Sequence, residues 1–373
     1  MKDERHMESL FRFCDDIGPE QIVHIHVPPA DLKAIVVVDN VACGPAIGGV
    51  RMATDVSVEE CVRLARAMTF KNAAAGLAHG GGKSVIFADP HGDPKEKEGR
   101  MRAFARAIER LTSYIPGPDM GTNETCMAWV KDEIGRSVGL PREIGGIPLD
   151  DIGATGFGVA IAAEVAADFC DLQLEGARLA VQGFGAVGRF SARFLTDRGA
   201  ILVGAADSKG TIHAPSGLDI DRLSELKTRG GSVVDYPGGE KLDRSAIVGV
   251  DCDIWIPAAR PDVLHADNAA SIKARLVLQG ANIPATEEAE KILHERGVVS
   301  VPDFIANAGG VICAAVEYHE GTQTTAFDQI EEKIRFNTQA VLSAALDRGI
   351  QPRQAALDLA EERVRKAMKL RRF

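Results

Sequence analysis

Residues 178–207 read RLAVQGFGAVGRFSARFLTDRGAILVGAAD, and this stretch decides the fold class. The apolar run 178–182 has the pattern of a buried strand and leads into GFGAVG at 183–188, which fits GxGxxG and opens a helical pattern. A second apolar run, 201–206, ends at an acid, Asp207. A strand, a glycine turn, a helix and a strand that ends in an acid are typical of a doubly wound α/β domain that binds a dinucleotide.

The glycine turn and the acid each have a physical role in holding a dinucleotide. Glycines let the backbone approach a pyrophosphate closely, and the helix that follows offers amide donors and a partial positive charge. Asp207 can accept hydrogen bonds from a ribose diol and would repel a 2′-phosphate, so it favours NAD over NADP, a preference that Ser208 and Lys209 weaken. The predicted contacts are Gly183, Phe184, Gly185, Ala186, Val187, Gly188, Asp207 and Ser208.

Further apolar runs extend the pattern over a two-domain chain. Those that follow Asp207 are separated mostly by helical stretches, as in a parallel Rossmann sheet covered on both faces, and lie at 253–256, 276–279 and 298–301. The first third also alternates strand and helix patterns, with strands predicted at 21–27, 32–38 and 84–87. Glycines and prolines in 135–152 mark a domain boundary.

These patterns predict an α/β protein with two domains and a helical C-terminus. The predicted parts are an N-terminal α/β substrate and oligomerisation domain at 1–142, a Rossmann domain at 143–326, and C-terminal helices at 327–373 that pack back on the first domain.

Composition excludes several classes of protein. The 373 residues are 45% hydrophobic and 26% charged, as in an ordinary globular enzyme, and the net charge of −10 argues against a nucleic-acid binder. The seven cysteines show no CxxC or Cys/His spacing, so we predict no metal site and a reducing, cytoplasmic compartment. No apolar run reaches the roughly 20 residues of a membrane span, and the charged residues 1–16 do not resemble a signal peptide.

Two lysines stand out in the first third, in MTFKNAAAGL at 68–77 and GGGKSVI at 80–86. A helix that opens at Ser57 has apolar positions whose spacing reaches Lys71, and an unpaired lysine is rare on an apolar face. Lys83 follows three glycines, which let backbone crowd around it. Each lysine is either a functional group or a side chain whose stem packs while its ammonium reaches water.

The two-lysine segment resembles the glutamate, leucine, phenylalanine and valine dehydrogenase family, and the similarity runs over nearly the whole chain. The other motifs that carry it are GPAIGGVR at 44–51, PDMGTN at 118–123, ATG at 154–156, GAN at 280–282 and PDFIANAGGV at 302–311, together with the glycine turn. The family oxidatively deaminates L-amino acids to 2-oxo acids and ammonia with a nicotinamide cofactor. The resemblance therefore implies that activity, small-molecule substrates and a homo-oligomer.

The resemblance also implies roles for individual residues. Lys71 would bind the substrate α-carboxylate, Lys83 would be the catalytic lysine and Asp119 would relay protons. Removing hydride from Cα leaves an iminium that water attacks, so a base close to Cα is required. Asn307 would fix the bound amino acid. Cofactor contacts implied in the same way are Thr155 at the nicotinamide amide and Asn282 near its ribose, and Ala258 is assigned to the same site.

Two positions bear on the choice of amino acid. Glutamate-selective members of the family carry a lysine just before the Gly-Gly pair and a serine seven residues after the asparagine of NAGG, where this chain has Ile47 and Ala314. An unpaired carboxylate buried there would cost several kcal/mol, so we predict an apolar, branched-chain or aromatic substrate. The predicted substrate contacts are Lys71, Asn307, Ile47, Gly48, Gly117, Val311 and Ala314.

Alternatives remain open at this stage. Segments 120–129, 207–210 and 303–311 are closer to glutamate dehydrogenases, which keeps glutamate or an unusual amino acid as an alternative substrate. His79 is either a packed histidine or a ligand for a polar substrate. A non-catalytic NAD-binding module is a further alternative, although the retained lysines and Asp119 argue against it.

Overall fold

The computed structural model describes residues 11–371 and divides the chain into two compact units. The first unit comprises the residues up to Pro148, Ala314–Gln323 and the residues from Leu359 onward. The second comprises Leu149–Cys313 and Thr324–Asp358. The division at Pro148 falls within the stretch rich in glycine and proline, somewhat beyond the predicted boundary at 142.

A five-stranded sheet forms the centre of the first unit. Its strands are β1 (Gln21–Val27), β2 (Leu32–Asn40), β3 (Ala46–Ala53), β4 (Gly80–Phe87) and β5 (Tyr114–Pro118). They lie in the order β1-β2-β4-β3-β5; β2 is antiparallel to β1 and β4, whereas β3 is parallel to β4 and β5. The strands β4 and β5 therefore flank β3.

Helices cover both faces of this sheet. They are α1 (Val58–Ala74), α2 (Pro94–Ala107) and α3 (Glu124–Ile134). Successive side chains of β2 point to opposite faces, so Val36 packs in a core with Phe104 of α2 and Met127 of α3. Its neighbour Val37 packs in a second core with Ala65 of α1. The sheet is thus buried on both sides.

The helix α1 begins where the sequence predicts, but its buried face differs from the prediction. The Ser57 side chain accepts a hydrogen bond from the Glu60 backbone N–H at 3.1 Å, which caps the helix. The buried positions include Cys61, Ala65, Thr69 and Asn72, whereas Lys71 is half-buried at the edge. Hydrogen bonds of polar side chains determine which face of α1 is buried. The Thr69 hydroxyl donates to Asp39 at 2.6 Å, and the Asn72 amide donates to the Gly80 carbonyl at 2.7 Å.

A seven-stranded sheet forms the centre of the second unit. Its strands are β6 (Arg178–Gln182), β7 (Ile201–Ala206), β8 (Thr211–His213), β9 (Glu240–Leu242), β10 (Ile254–Pro257), β11 (Leu276–Leu278) and β12 (Val299–Val301). The order is β12-β11-β10-β6-β7-β8-β9, parallel from β12 to β7 and antiparallel from there on. This parallel core confirms the predicted doubly wound fold.

Further helices follow along the chain after the sheet of the first unit. They are α4 (Ala154–Ala167), α5 (Ala186–Thr196), α6 (Ile220–Thr228), α7 (Ala266–Ala269), α8 (Glu287–Glu295), α9 (Asp303–Ala306), α10 (Gly309–Tyr318), α11 (Gln323–Arg348) and α12 (Pro352–Leu370). The described C-terminal residues do not all return to the first unit as predicted, because most of α11 belongs to the second. Arg335 of α11 pairs with Glu164 of α4 at 2.5 Å, and only the residues from Leu359 onward join the first unit.

Within residues 11–371, no helix has the length and apolarity that a membrane crossing requires. The same residues contain no cluster of three or more side chains able to hold a metal ion. All seven cysteines are free thiols.

The strand β4 begins at Gly80, four residues earlier than predicted, and its first three residues are glycines. Glycine has low strand propensity, which hides the strand in the sequence. The fold needs glycine here, since a Cβ on Gly81 would lie 2.0 Å from the backbone nitrogen of Thr69 and one on Gly48 would lie 1.7 Å from the carbonyl oxygen of Gly82. Close approach of α1 and β3 to β4 therefore depends on these positions.

Gly81→Ala is expected to destabilise the protein by about 3 kcal/mol, because its methyl group would collide with the backbone of α1. Gly99→Ala is the matched control: Gly99 lies in α2 with nothing within 4 Å of an added Cβ, so alanine should stabilise the helix by about 0.5–1 kcal/mol. Thermal unfolding of both variants checks this expectation. Wild-type stability of Gly81→Ala would contradict the close packing of α1 on β4.

Candidate active site

Lys83 and Asp119, which the sequence marks as the catalytic pair, meet in the first unit. Lys83 lies in β4 and Asp119 directly follows β5. The Lys83 ammonium donates to the Asp119 carboxylate, and Lys83 is only 7% exposed. The structure thus brings together, in a largely buried ion pair, two residues 36 positions apart in the sequence.

The surroundings keep Asp119 ionised. Burial alone would raise the pKa of this carboxyl group, but the positive charge and hydrogen bond of Lys83 outweigh burial and lower it below its ordinary value. The Met120 backbone N–H donates to Asp119 at 2.7 Å, and the guanidinium of Arg51 lies 3.7 Å away. Sequence reasoning did not assign Arg51 to the site, although it lies in the quoted GPAIGGVR motif; Arg51 also pairs with Glu60.

The strand β3, between β4 and β5, carries two of the predicted substrate contacts. Gly48 pairs with Pro116 in β5, and its carbonyl accepts a hydrogen bond from the buried Tyr114 hydroxyl at 2.8 Å. Ile47 pairs with Gly81 on one side and Ile115 on the other, and is 4% exposed. The sheet around position 47 is therefore built from apolar neighbours.

The other predicted substrate contacts lie on different elements. Gly117 is buried in β5, where an added Cβ would lie 3.0 Å from Val138. Lys71 lies in the last turn of α1. Val311 and Ala314 both lie in α10, and Ala314 is buried.

His79 is a packed histidine, the first of the two alternatives left open above. Its side chain is buried, and its ring nitrogens contact the Pro45 carbonyl oxygen at 3.0 Å and Nε2 of His319 at 3.2 Å. The ring also meets Tyr318 edge to face. Burial lowers the pKa of His79, which favours a neutral imidazole that donates through Nδ1 to Pro45 and accepts from His319.

The predicted glycine turn joins β6 to α5 in the second unit. Gly183 has a φ of +98°, and a Cβ on Gly188 would lie 1.9 Å from the Gly183 carbonyl oxygen, so both positions require glycine. An added Cβ on Gly185 would meet nothing within 4 Å. Open space in front of a helix N-terminus fits the pyrophosphate of a dinucleotide.

Other predicted cofactor contacts surround this turn. Phe184 is buried, Ala186 and Val187 open α5, and Ser208 is exposed beyond β7. The backbone N–H of Ala258, directly after β10, donates to the Gln182 carbonyl at 2.7 Å, immediately before the turn. These residues therefore lie around the turn or at the ends of the two strands beside it, and their contact with a cofactor stays a prediction.

The predicted ribose acceptor, Asp207, is engaged within the chain. One carboxylate oxygen accepts from the Lys209 backbone N–H at 2.9 Å and the Ser232 hydroxyl at 2.8 Å, and the other from the Lys227 ammonium at 2.8 Å and the Val233 backbone N–H at 3.0 Å. Burial opposes ionisation, but these donors lower the pKa of Asp207 to about 2. A ribose diol that binds Asp207 would have to displace one of these four donors. The sequence alone could not show that the carboxylate is already hydrogen-bonded.

Asn307 and Asn282, assigned to substrate and cofactor, lie side by side in the second unit. The Asn307 amide donates to the Asn282 side-chain oxygen at 3.0 Å and to the Ala281 carbonyl at 3.2 Å. Thr155 lies in the first turn of α4, where a Cβ on Gly310 would lie 3.1 Å from its hydroxyl. The NAGG motif at 307–310 therefore contacts both the GAN motif at 280–282 and the ATG motif at 154–156, all within the second unit.

Comparison with known proteins agrees with this arrangement. Two family profiles match the chain: "Glu/Leu/Phe/Val dehydrogenase, dimerisation domain" over residues 19–136 and "Glutamate/Leucine/Phenylalanine/Valine dehydrogenase" over residues 145–372. Glutamate dehydrogenase from Aeropyrum pernix is 38% identical over 356 residues, covering 89% of this chain and 85% of that protein. NAD-specific glutamate dehydrogenase from Staphylococcus aureus is 38% identical over 351 residues, with 89% and 84% covered.

Solved structures share the fold over almost their full length. Hetero-hexameric glutamate dehydrogenase from Thermus thermophilus, in a leucine-bound form, has a TM-score of 0.83 at 30% identity and covers 99% of this chain and 97% of its own. L-tryptophan dehydrogenase from Nostoc punctiforme has a TM-score of 0.77 at 25% identity, with 97% and 99% covered.

The comparisons confirm the predicted family and the two-domain fold. On the substrate they favour glutamate over the apolar amino acid predicted from the sequence, since the relatives named above by sequence are glutamate dehydrogenases. The chain belongs to the glutamate, leucine, phenylalanine and valine dehydrogenase family and is an amino acid dehydrogenase.

Proposed function

We propose that this dehydrogenase oxidatively deaminates an apolar L-amino acid to its 2-oxo acid and ammonia with NAD. The observation that carries the choice of substrate is Ile47, an apolar, buried side chain at the position where glutamate-selective members carry a lysine. Ala314, also buried, replaces their serine. The family's position for the substrate side chain then lacks both groups that would receive a second carboxylate.

Two neighbouring polar groups do not substitute for the missing lysine. The guanidinium of Arg51 is engaged by Glu60 and Asp119, and buried His79 is engaged by Pro45 and His319. A glutamate side chain at this position would bury its carboxylate beside Ile47. Leaving a charge buried without a partner costs several kcal/mol, which corresponds to orders of magnitude in discrimination.

Lys83 and Asp119 supply the acid and base functions in this proposal. NAD, when bound, accepts the hydride from the substrate Cα. Lys83 first passes its own proton to Asp119, which relays it, and the resulting neutral amine then receives the proton of the water that attacks the iminium carbon. A proton passing from the lysine to the carboxylate neutralises both groups together, so the buried pair can exchange it without leaving an isolated charge.

Glutamate is the second candidate substrate, because the relatives matched over most of the chain are named for it. Production of reduced nicotinamide, followed by absorbance with NAD and each of leucine, valine, isoleucine, phenylalanine, tryptophan and glutamate, distinguishes the two. Turnover of an apolar amino acid with glutamate silent supports the proposal. Efficient glutamate turnover with the apolar amino acids silent overturns it and favours the second candidate.

Lys83→Ala is expected to abolish turnover while NAD still binds, because the lysine acts on the substrate and the glycine turn lies in the other unit. Loss of a positioned acid or base costs about 10²–10⁴-fold in rate. The measurements are kcat with the best substrate and NAD affinity by titration. Lys95→Ala, at an exposed lysine in α2, is the control; near-normal kcat in Lys83→Ala would show that Lys83 is not the catalytic base.

Ile47→Lys is expected to raise kcat/KM for glutamate by about ten- to a hundredfold and to lower it for apolar amino acids, since a cation would then face the second carboxylate. Ile47→Met, which supplies comparable length without charge, is the matched control and should leave glutamate turnover unchanged. Steady-state kinetics on both substrate classes provide the comparison. An equal gain in both variants would mean that space, not charge, limits glutamate.

A further inference from the structure

Glu317 is a buried carboxylate in the last turn of α10 that no step above uses. It is 7% exposed and, like its partners, lies in the first unit. One oxygen accepts the backbone N–H of Leu140 at 3.1 Å and the other that of Ile147 at 2.8 Å. A carboxylate is costly to bury, so its place on two backbone donors requires a structural reason.

These donors belong to residues 137–147, which we call the brace loop. Glu317 joins its two ends, since Leu140 lies near its beginning and Ile147 ends it. Inside the loop, the Gly146 backbone N–H donates to the Pro141 carbonyl at 3.0 Å, which forms a local turn. Glu317 therefore ties the two ends of a turn-containing segment to one rigid helix.

The beginning of the brace loop lies along β5, the strand that leads to Asp119. The backbone N–H of Val138 donates to the Pro116 carbonyl at 2.9 Å, and the Ser137 hydroxyl donates to the same oxygen at 3.0 Å. Gly139, at a φ of +70°, lies so close to Pro118 that an added Cβ would be 2.4 Å from the proline ring. Pro118 is the residue immediately before Asp119, so the loop packs against the residue that leads into the proposed catalytic carboxylate.

We propose that Glu317 is a positioning residue for the Lys83–Asp119 pair. By holding the brace loop against the end of β5, it fixes the position of Asp119 relative to Lys83. The inference rests on the proposed function, because it requires Lys83 and Asp119 to be the reacting groups. A carboxylate suits this role better than an amide. Glutamine has one acceptor oxygen, and its NH₂ group would face a backbone N–H, so at least one donor of the loop would lose its partner.

Glu317→Gln tests the proposal with a nearly isosteric change. We expect kcat to fall by about ten- to a hundredfold, the range that a displacement of about 1 Å in a catalytic group produces. The KM for NAD should stay unchanged, and the pH profile of kcat/KM, which reports the acid and base, should shift. Glu320→Gln is the matched control: it removes the same charge three residues later at an exposed position and should behave as wild type.

Thermal unfolding and NAD binding are measured on the same samples to separate positioning from folding. Wild-type kcat and pH profile in Glu317→Gln would overturn the proposal, as would a loss of activity that tracks the folded fraction without a shifted pH profile. If Glu317→Gln does not fold, Glu317→Asp, which keeps the carboxylate on a shorter stem, takes its place in the same measurements. Wild-type protein that turns over no amino acid would instead contradict the proposed function, so the two failures are distinguishable.

Discussion

The buried ion pair between Lys83 and Asp119 is the interaction on which the rest of the first unit depends. Burying either charge alone would be strongly unfavourable, so both must arrive together and in fixed geometry. In the parallel arrangement of β4, β3 and β5, Val50 pairs with Ser84 on one side and Pro118 on the other, which places Lys83 and Asp119 at nearly the same level of the sheet. Glycines in β3 and β4 leave room for backbone to close around the lysine, and Arg51 adds positive charge beside Asp119.

The regular parts of this fold could be predicted from the sequence because local pattern and final structure agree. The strands β1, β6 and β7 have the predicted bounds, since each is a short apolar or alternating run between clear turns. The start of β4 could not be predicted, because glycines carry no strand signal. The buried face of α1 differs from the predicted apolar face, because Thr69 and Asn72 are buried through hydrogen bonds to residues outside the helix. A hydrophobic pattern cannot contain that information.

The positions of Lys83, Asp119 and the glycine turn could be singled out from the sequence because each lies in a compact motif. Asp207 shows where such reasoning stops: its position was predictable, but its partners Ser232 and Val233 lie about 25 residues further along the chain and have no motif. Glu317 is a stronger example, since its donors lie 177 and 170 residues away. Only the folded chain shows that a single acid in α10 holds a loop from the first half of the sequence.

Substrate class and substrate identity depend on different physical quantities in such a site. Under the proposed function, rejecting glutamate requires only that its second carboxylate finds no positive partner, so one apolar side chain at position 47 would exclude it by several kcal/mol. Choosing among leucine, valine, isoleucine and phenylalanine depends on shape, where one methylene contributes about 1–3 kcal/mol. A framework shared with glutamate dehydrogenases therefore does not fix the substrate class. The overall identity reports the reaction, whereas the proposed choice of substrate rests on two positions, Ile47 and Ala314.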